Sequence, residues 1–180
     1  MTWRRIVLYY VLGVALGGYF LMFEWNPRGE KPIIEPKRVV HKSPFLPIDR
    51  EEITEVALHR DGAVVICRRD GQKWTITEPA NAKVTSDLVA SFVENLTPEK
   101  EVPIIDDAAK DFSTYGLDRP QATITLKGKN ILATVLIGDR NPTGSSVYVR
   151  KENSPQVVLL GASVSNYQEL IFETAGIKKQ

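Results

Sequence analysis

The stretch ITEVALHRDGAVVICRRDGQKWTITEP, residues 53–79, decides the fold. Apolar and polar residues alternate through Ile53–Leu58, the period of a strand with one buried face. Asp61-Gly62 then supplies a two-residue hairpin turn, because both residue types tolerate positive φ. Ala63–Arg68 is a second β-rich run ending at Asp70-Gly71, and Lys73–Thr77 is a third, closed by Pro79. The three runs predict an antiparallel meander.

Downstream the period changes. Thr85 stands where an N-cap is needed, and Val84 and Val89 have the spacing of a hydrophobic staple. Leu88, Val89, Phe92, Val93 and Leu96 line one face of the predicted helix, and Pro98 stops it. A short strand is expected over Val102–Ile105. Asp106 or Asp107 then caps a brief helix through Ala108, Ala109 and Phe112, with Gly116 as its left-handed C-terminal residue. Ala122–Leu126, Ile131–Ile137, Ser146–Arg150 and Gln156–Leu160 predict four more strands, with a loop over Gly138–Gly144. Ser165 with Gln168 has the form of a capping box for a last helix carrying Leu170, Ile171 and Phe172. The expected fold is α+β: an antiparallel sheet with helices packed on one face, built from two β-β-β-α repeats.

Upstream, Ile6–Phe23 reads IVLYYVLGVALGGYFLMF, eighteen residues without a charge. As a helix it covers about 27 Å, close to the hydrocarbon thickness of a bilayer. Trp3, Tyr19 and Trp25 stand near its two ends, where amphipathic rings prefer the headgroups. A cleaved secretory signal would have a shorter apolar run, ~7–15 residues, and a small-x-small cleavage site. Phe23-Glu24-Trp25-Asn26-Pro27 puts bulky groups at that point, so a retained anchor is expected, with Ile6, Val7, Leu8, Gly13, Gly17, Phe20 and Phe23 in the bilayer. Gly13 and Gly17 have small-xxx-small spacing, a weak signal because glycine is common in membrane helices. A raw count of bases, with Arg28, Lys31, Lys37, Arg38 and Lys42 beyond the span, favours the reverse orientation, but Arg4 and Arg5 abut the span while the others start behind Glu24, so a cytoplasmic N-terminus is expected. Glu24–Ile48 follows with prolines at 27, 32, 36, 44 and 47, a semi-rigid tether reaching at most ~75 Å. The domain division is therefore an anchor over 1–23, a proline-rich linker over 24–48 and a folded head over 49–180.

Composition bounds the chemistry. The chain has 180 residues, 23 Lys or Arg against 22 Asp or Glu, and a net charge of +1, which does not suit a nucleic-acid binder. Seven of its fifteen aromatics fall in the first 25 residues, leaving few for stacking on bases. The single cysteine, Cys67, excludes an intrachain disulfide and sits in an apolar run as a small core residue. His41 reads as a polar linker residue and His59 as a surface residue at a hairpin edge. Asp106, Asp107 and Asp111 could share a helix turn, but capping explains the first pair, and Asp139-x-Asn141-x-x-Gly144 lacks the further ligands of a calcium loop. No catalytic, cofactor or metal site is expected.

Tyr115-Gly116-Leu117-Asp118-Arg119-Pro120 carries a resemblance. Together with Trp74 ahead of Pro79, an Ile-Gly at Ile137-Gly138, the glycine loop 141–145 and Val147-Tyr148-Val149, it resembles bacterial membrane-anchored proteins carrying domain of unknown function 4340. The resemblance covers roughly Ile53 to Ile171. It implies an envelope protein of the bacterial inner membrane with a periplasmic head, some relatives resembling auxiliary parts of ABC-type export or gliding-motility systems. The motif residues Trp74, Tyr115, Gly116, Leu117, Pro120, Gly138 and Tyr148 are expected to keep the fold. Expected partners are the lipid bilayer and other membrane or envelope proteins. The other reading is an extracytoplasmic domain that binds a lipid, glycan or small molecule for a transporter.

Overall fold

A computed structural model describes residues 45–177, together with Trp3, Val7, Leu12, Gly13, Val14, Leu16, Gly18 and Tyr19. The chain divides into two units, Met1–Glu35 and Pro36–Gln180. In the first, all the described residues are helical. Among the described residues no helix is long and apolar enough to cross a membrane. The expected span falls largely outside them: Ile6, Leu8, Gly17, Phe20 and Phe23 are not described, nor is His41.

The second unit is α+β, with eight strands in one sheet. The meander consists of β1 (Ile53–Arg60), β2 (Ala63–Asp70) and β3 (Lys73–Glu78). Asp61 and Gly62 at its first turn have φ of 48° and 80°, the positive values that a two-residue hairpin requires. Helix α1 is Ser86–Leu96, followed by the short strand β4 (Ile104–Asp106). The second run of strands is β5 (Ala122–Gly128), β6 (Leu132–Arg140), β7 (Ser146–Lys151) and β8 (Val157–Gly161), and α2 spans Ser163–Thr174. The order across the sheet is β3-β2-β1-β5-β6-β7-β8-β4, and every adjacent pair is antiparallel.

The sheet is curled. Helix α1 touches β3 and also β8, which have five strands between them. On a flat sheet those strands would lie about 29 Å apart, more than twice the ~10–12 Å diameter of a helix. The curl brings them round, and α1 packs with α2 in the concave face. Val89, Phe92, Val93 and Leu96 from α1 and Val164, Ile171 and Phe172 from α2 share one core with Val56, Leu58, Ile124, Val135 and Val149. Trp74 on β3 belongs to it and is 6% exposed. So do Phe45 and Leu46, so the head takes in residues that proline density assigned to the linker.

Four local expectations are corrected. Residues 107–112 form no helix; Asp106 Oδ1 accepts from the Ala108 N–H at 3.0 Å and Asp111 Oδ1 from the Ser113 N–H at 2.9 Å, leaving only a 3-10 turn over Ser113–Tyr115. These Asx turns satisfy backbone groups locally and compete with helix. Ser165 and Gln168 form no capping box: α2 starts two residues earlier, both side chains are buried within it, and Leu170 faces out while Val164 faces the core. Thr85 occupies the N-cap of α1 without a side-chain cap, and the neighbouring Ser86 Oγ accepts from the Trp74 N–H at 3.0 Å. Gly138, Asp139 and Arg140 continue β6 instead of starting a loop. The second run also has four strands before its helix, one more than the first.

Where the two runs meet, Glu55 on β1 accepts from Arg68 Nε of β2 at 2.9 Å and from Lys127 Nζ of β5 at 2.8 Å. The bonds to Lys127 and then Arg68 hold its carboxyl below the ordinary value of 4.5. Both cations are more than half exposed and well screened by water, so Glu55→Gln should cost about 0.5–1 kcal/mol at neutral pH. A depressed folded value means that the unfolded chain takes up the proton first as pH falls. The advantage of the native chain over Glu55→Gln should thus be complete above pH 4.5, shrink below it, and vanish once pH passes under the folded value. Urea denaturation of both proteins across that range checks this; an equal advantage at every pH refutes the clamp.

Candidate functional site

The residues that could carry chemistry are held in structural work. Cys67 faces the core, and burial pushes its thiol up to about 12, so it is not a thiolate at neutral pH. His59 is exposed on β1, paired in register with Val64 and Thr123. Asn141 Oδ1 accepts from the Ser146 N–H at 3.0 Å, and its amide donates to Thr143 Oγ1 at 2.8 Å, closing the glycine loop on itself. Hydrogen bonds from Ser113 lower the pKa of Asp111. Among the described residues no group of three His, Cys, Asp or Glu side chains could hold a metal ion.

The motif residues, by contrast, converge. On β6, β7 and β8 the side chains opposite the main core, those of Leu136, Tyr148 and Val157, form a second apolar cluster on the outer face. Segment 107–117 crosses that face as a strap and adds Ala109, Phe112, Tyr115 and Leu117. Leu117 is 2% exposed. The ring of Tyr115 meets that of Tyr148 edge-on, with centroids 5.1 Å apart and planes at 61°. Tyr115 also donates its hydroxyl to Asp106 Oδ2 at 3.3 Å, and burial, with Asp106 beside it, raises its pKa. Arg150 on β7 lies over Phe112, 4.1 Å from the ring centroid, and bonds the carbonyls of the following turn, at 2.7 Å for Glu152.

Two glycines make this contact possible. Gly116 ends the 3-10 turn with φ of 65°, and a Cβ there would collide with the Asp139 carboxylate. A Cβ on Gly138 would overlap the Tyr115 carbonyl oxygen and press on Leu117. Gly138 is thus the gap in β6 into which the strap is seated. Asp139, which the sequence offered only as a poor calcium ligand, accepts from Gln121 Nε2 at 3.1 Å and fixes the end of the strap.

Residues 74–172 match a family model described as Domain of unknown function (DUF4340). The chain belongs to the DUF4340 family. No curated protein and no solved structure matches it significantly. The DUF4340 match begins at Trp74 and leaves out β1 and β2, although β1 pairs along its length with β5 inside the match. The strap, its glycines and Tyr148 all fall within the matched span. Of the motif residues, Tyr115, Gly116, Leu117, Gly138 and Tyr148 come together at the strap, while Trp74 lies in the inner core and Pro120 beyond the strap beside Arg60. Phe112 and Arg150 were not singled out by sequence, since neither has a spacing that marks it as a strap contact.

An open groove of about 860 Å³ lies on the DUF4340 head between Leu46, Trp74, Val93 and Thr97. Its arginines are occupied. Arg50 donates to the Thr97 carbonyl at 3.1 Å and pairs with Glu99 at 3.1 Å, and Arg69 donates to the carbonyls of Arg50 at 3.1 Å and Glu51 at 3.3 Å. The groove is a stapled seam.

If the strap is seated by close contact, Gly138→Ala should destabilise the protein by about 2–3 kcal/mol through overpacking. Gly144→Ala should cost only about 1 kcal/mol, because that loop glycine also has positive φ, 71°, but open space around it. Denaturant titrations of the two variants decide the matter; equal losses refute the seating role of Gly138.

Proposed function

We propose that this chain is a single-pass, membrane-anchored interaction module of the bacterial cell envelope, without catalytic activity, whose head stands on the periplasmic side and assembles with other envelope proteins. An accessory role in an ABC-type export system is the specific setting this reading favours. The observation that carries it is the helical N-terminal residues. Trp3, Val7, Leu12, Val14, Leu16 and Tyr19 are all exposed, Val14 at 65% and Leu16 at 62%. Exposed apolar side chains around a helix call for lipid or another apolar surface, since water penalises each by about 1.5–3 kcal/mol. The uncharged stretch around them has the length of a bilayer span.

The head supports the same reading. Its single thiol is buried, its described histidine stands alone on a strand, and its arginine staples hold the segment through which a pull on the tether would arrive. The strap face adds a rigid surface beside the exposed loops of β6 and β7.

Washing membranes with alkaline carbonate should leave the full-length chain in the pellet and release a chain lacking residues 1–23. Alkaline phosphatase fused after Lys178 should be active. Mild-detergent pull-down should recover other envelope proteins in fixed proportion. Release of the intact chain by carbonate overturns the anchor, an inactive phosphatase overturns the orientation, and recovery of the chain alone across several mild detergents overturns the assembly role.

A further inference from the structure

Trp74 is a tryptophan buried on an edge strand, 6% exposed, and it lines the open groove beside Val93 and Thr97. Its main-chain N–H donates to Ser86 Oγ at 3.0 Å, so the edge of β3 is closed at that point to an added strand. The indole is a different matter. A buried tryptophan N–H usually finds an acceptor, but among the described residues Nε1–H of Trp74 has none. Nor is it sealed from solvent, as the partnerless Arg60 Nε, Arg150 Nε and Gln168 Oε1 are. A donor without a partner, held rigid by the core and within reach of solvent where the groove runs past it, is a fixed hook for a carbonyl oxygen.

The walls narrow what can carry that carbonyl. Pro47, Ile48, Ala90 and Pro98 line the groove and are wholly or partly exposed, which offers apolar contact. Charge narrows it further. Asp49, Glu51, Glu94 and Glu99 line the groove against Arg50 and Arg69, four carboxylates to two arginines and a net charge of −2. Both arginines are turned onto main-chain carbonyls of the seam itself, while Glu51 has no ion pair among the described residues. The groove therefore favours a cationic occupant over an anionic one. An extended polyproline II segment with basic residues meets these conditions together. It has no internal hydrogen bonds, so its carbonyls are open to an indole N–H, its rings suit apolar walls, and its stiffness limits the entropy lost on docking. A strand partner would need the edge position that Ser86 already occupies.

We propose that this groove docks an extended, proline-rich segment carrying Lys or Arg on a separate partner polypeptide. One of its carbonyls accepts from Trp74 Nε1, and its cations face Asp49 and Glu51. The assignment rests on the interaction-module reading and supplies the chemistry of the partner.

Titration of the full-length chain in mild detergent with synthetic peptides tests it. PPKPPRPPKP is the ligand probe, GSKGSRGSKG keeps the charge without proline, and PPEPPEPPEP keeps proline with the opposite charge. The first should bind saturably, about tenfold tighter than either comparison, and more weakly as salt rises. In heteronuclear NMR spectra, the indole resonance that Trp74→Phe removes should be the one that the peptide shifts. Trp74→Phe keeps a ring in the core and loses the donor, and should weaken binding about two- to tenfold, the range of one hydrogen bond. Glu51→Lys alters only an exposed side chain and should weaken binding several-fold. Circular dichroism melting confirms that each variant is folded. Equal binding of GSKGSRGSKG overturns the polyproline class, and equal binding of PPEPPEPPEP overturns the charge assignment. No binding of any peptide, or an unmoved Trp74 resonance, overturns the site. Self-association of the full chain that Trp74→Phe abolishes makes the occupant a second copy and overturns the separate partner. The titration needs no other envelope protein, so its failure leaves the pull-down result standing, and a failed pull-down leaves a positive titration standing.

Discussion

The pairing of β1 with β5 is the contact on which the rest of the head depends. Residues Ile53–His59 lie against Thr123–Gly128, joining strands separated by the whole of the meander, α1 and the strap. Without it the molecule would be a three-stranded ribbon and a second, separate set of strands, each with an uncovered apolar face. With it, Val56 and Leu58 from one side and Ile124 and Leu126 from the other line a continuous concave surface. Closing a loop of that length costs backbone entropy before the contact returns anything. The return comes from the shared core, since the pairing also brings α1 and α2 onto one face.

The curl of the sheet follows from the same need for burial. Two helices cannot cover eight strands laid flat, so the sheet bends until its distant strands reach α1. Bending leaves the outer face of β6–β8 convex, and there the apolar Leu136, Tyr148 and Val157 would meet water if nothing crossed them. The strap does so, and it needs a strand position without a side chain to come close enough. Gly138 provides that position, Gly116 provides the backbone turn that aims Leu117 at it, and Tyr115 and Tyr148 close the edge. Five of the seven motif residues thus form one packing contact, written in three separate places along the chain.

Arg50 and Arg69 tie the start of the head to the end of α1 and to β2. The strap fixes the stretch that ends at Arg119 and Gln121, and with it one wall of the small cavity lined by Arg60 and Gln168, whose buried Nε and Oε1 have no hydrogen-bond partner. Unpaired buried groups persist in a stable fold only when the surrounding packing holds them, and here that packing comes from both cores.

Local chemistry determined a good part of this protein from sequence alone. β-rich apolar runs and Asp61-Gly62 made the meander, an i, i+3, i+4 spacing before Pro98 made α1, and Gly116 marked a left-handed turn, because each signal is complete within a few residues. Charge balance and the lone Cys67 likewise needed no coordinates. Only the tertiary structure decided that Phe45 and Leu46 belong to the head, that 107–112 is a strap instead of a helix, and that Ser165 and Gln168 turn inward. It alone placed Arg60 over the ring of Phe172. These outcomes rest on which distant surface covers a residue, and residues more than a hundred positions apart leave no joint period in the chain for a reader to find.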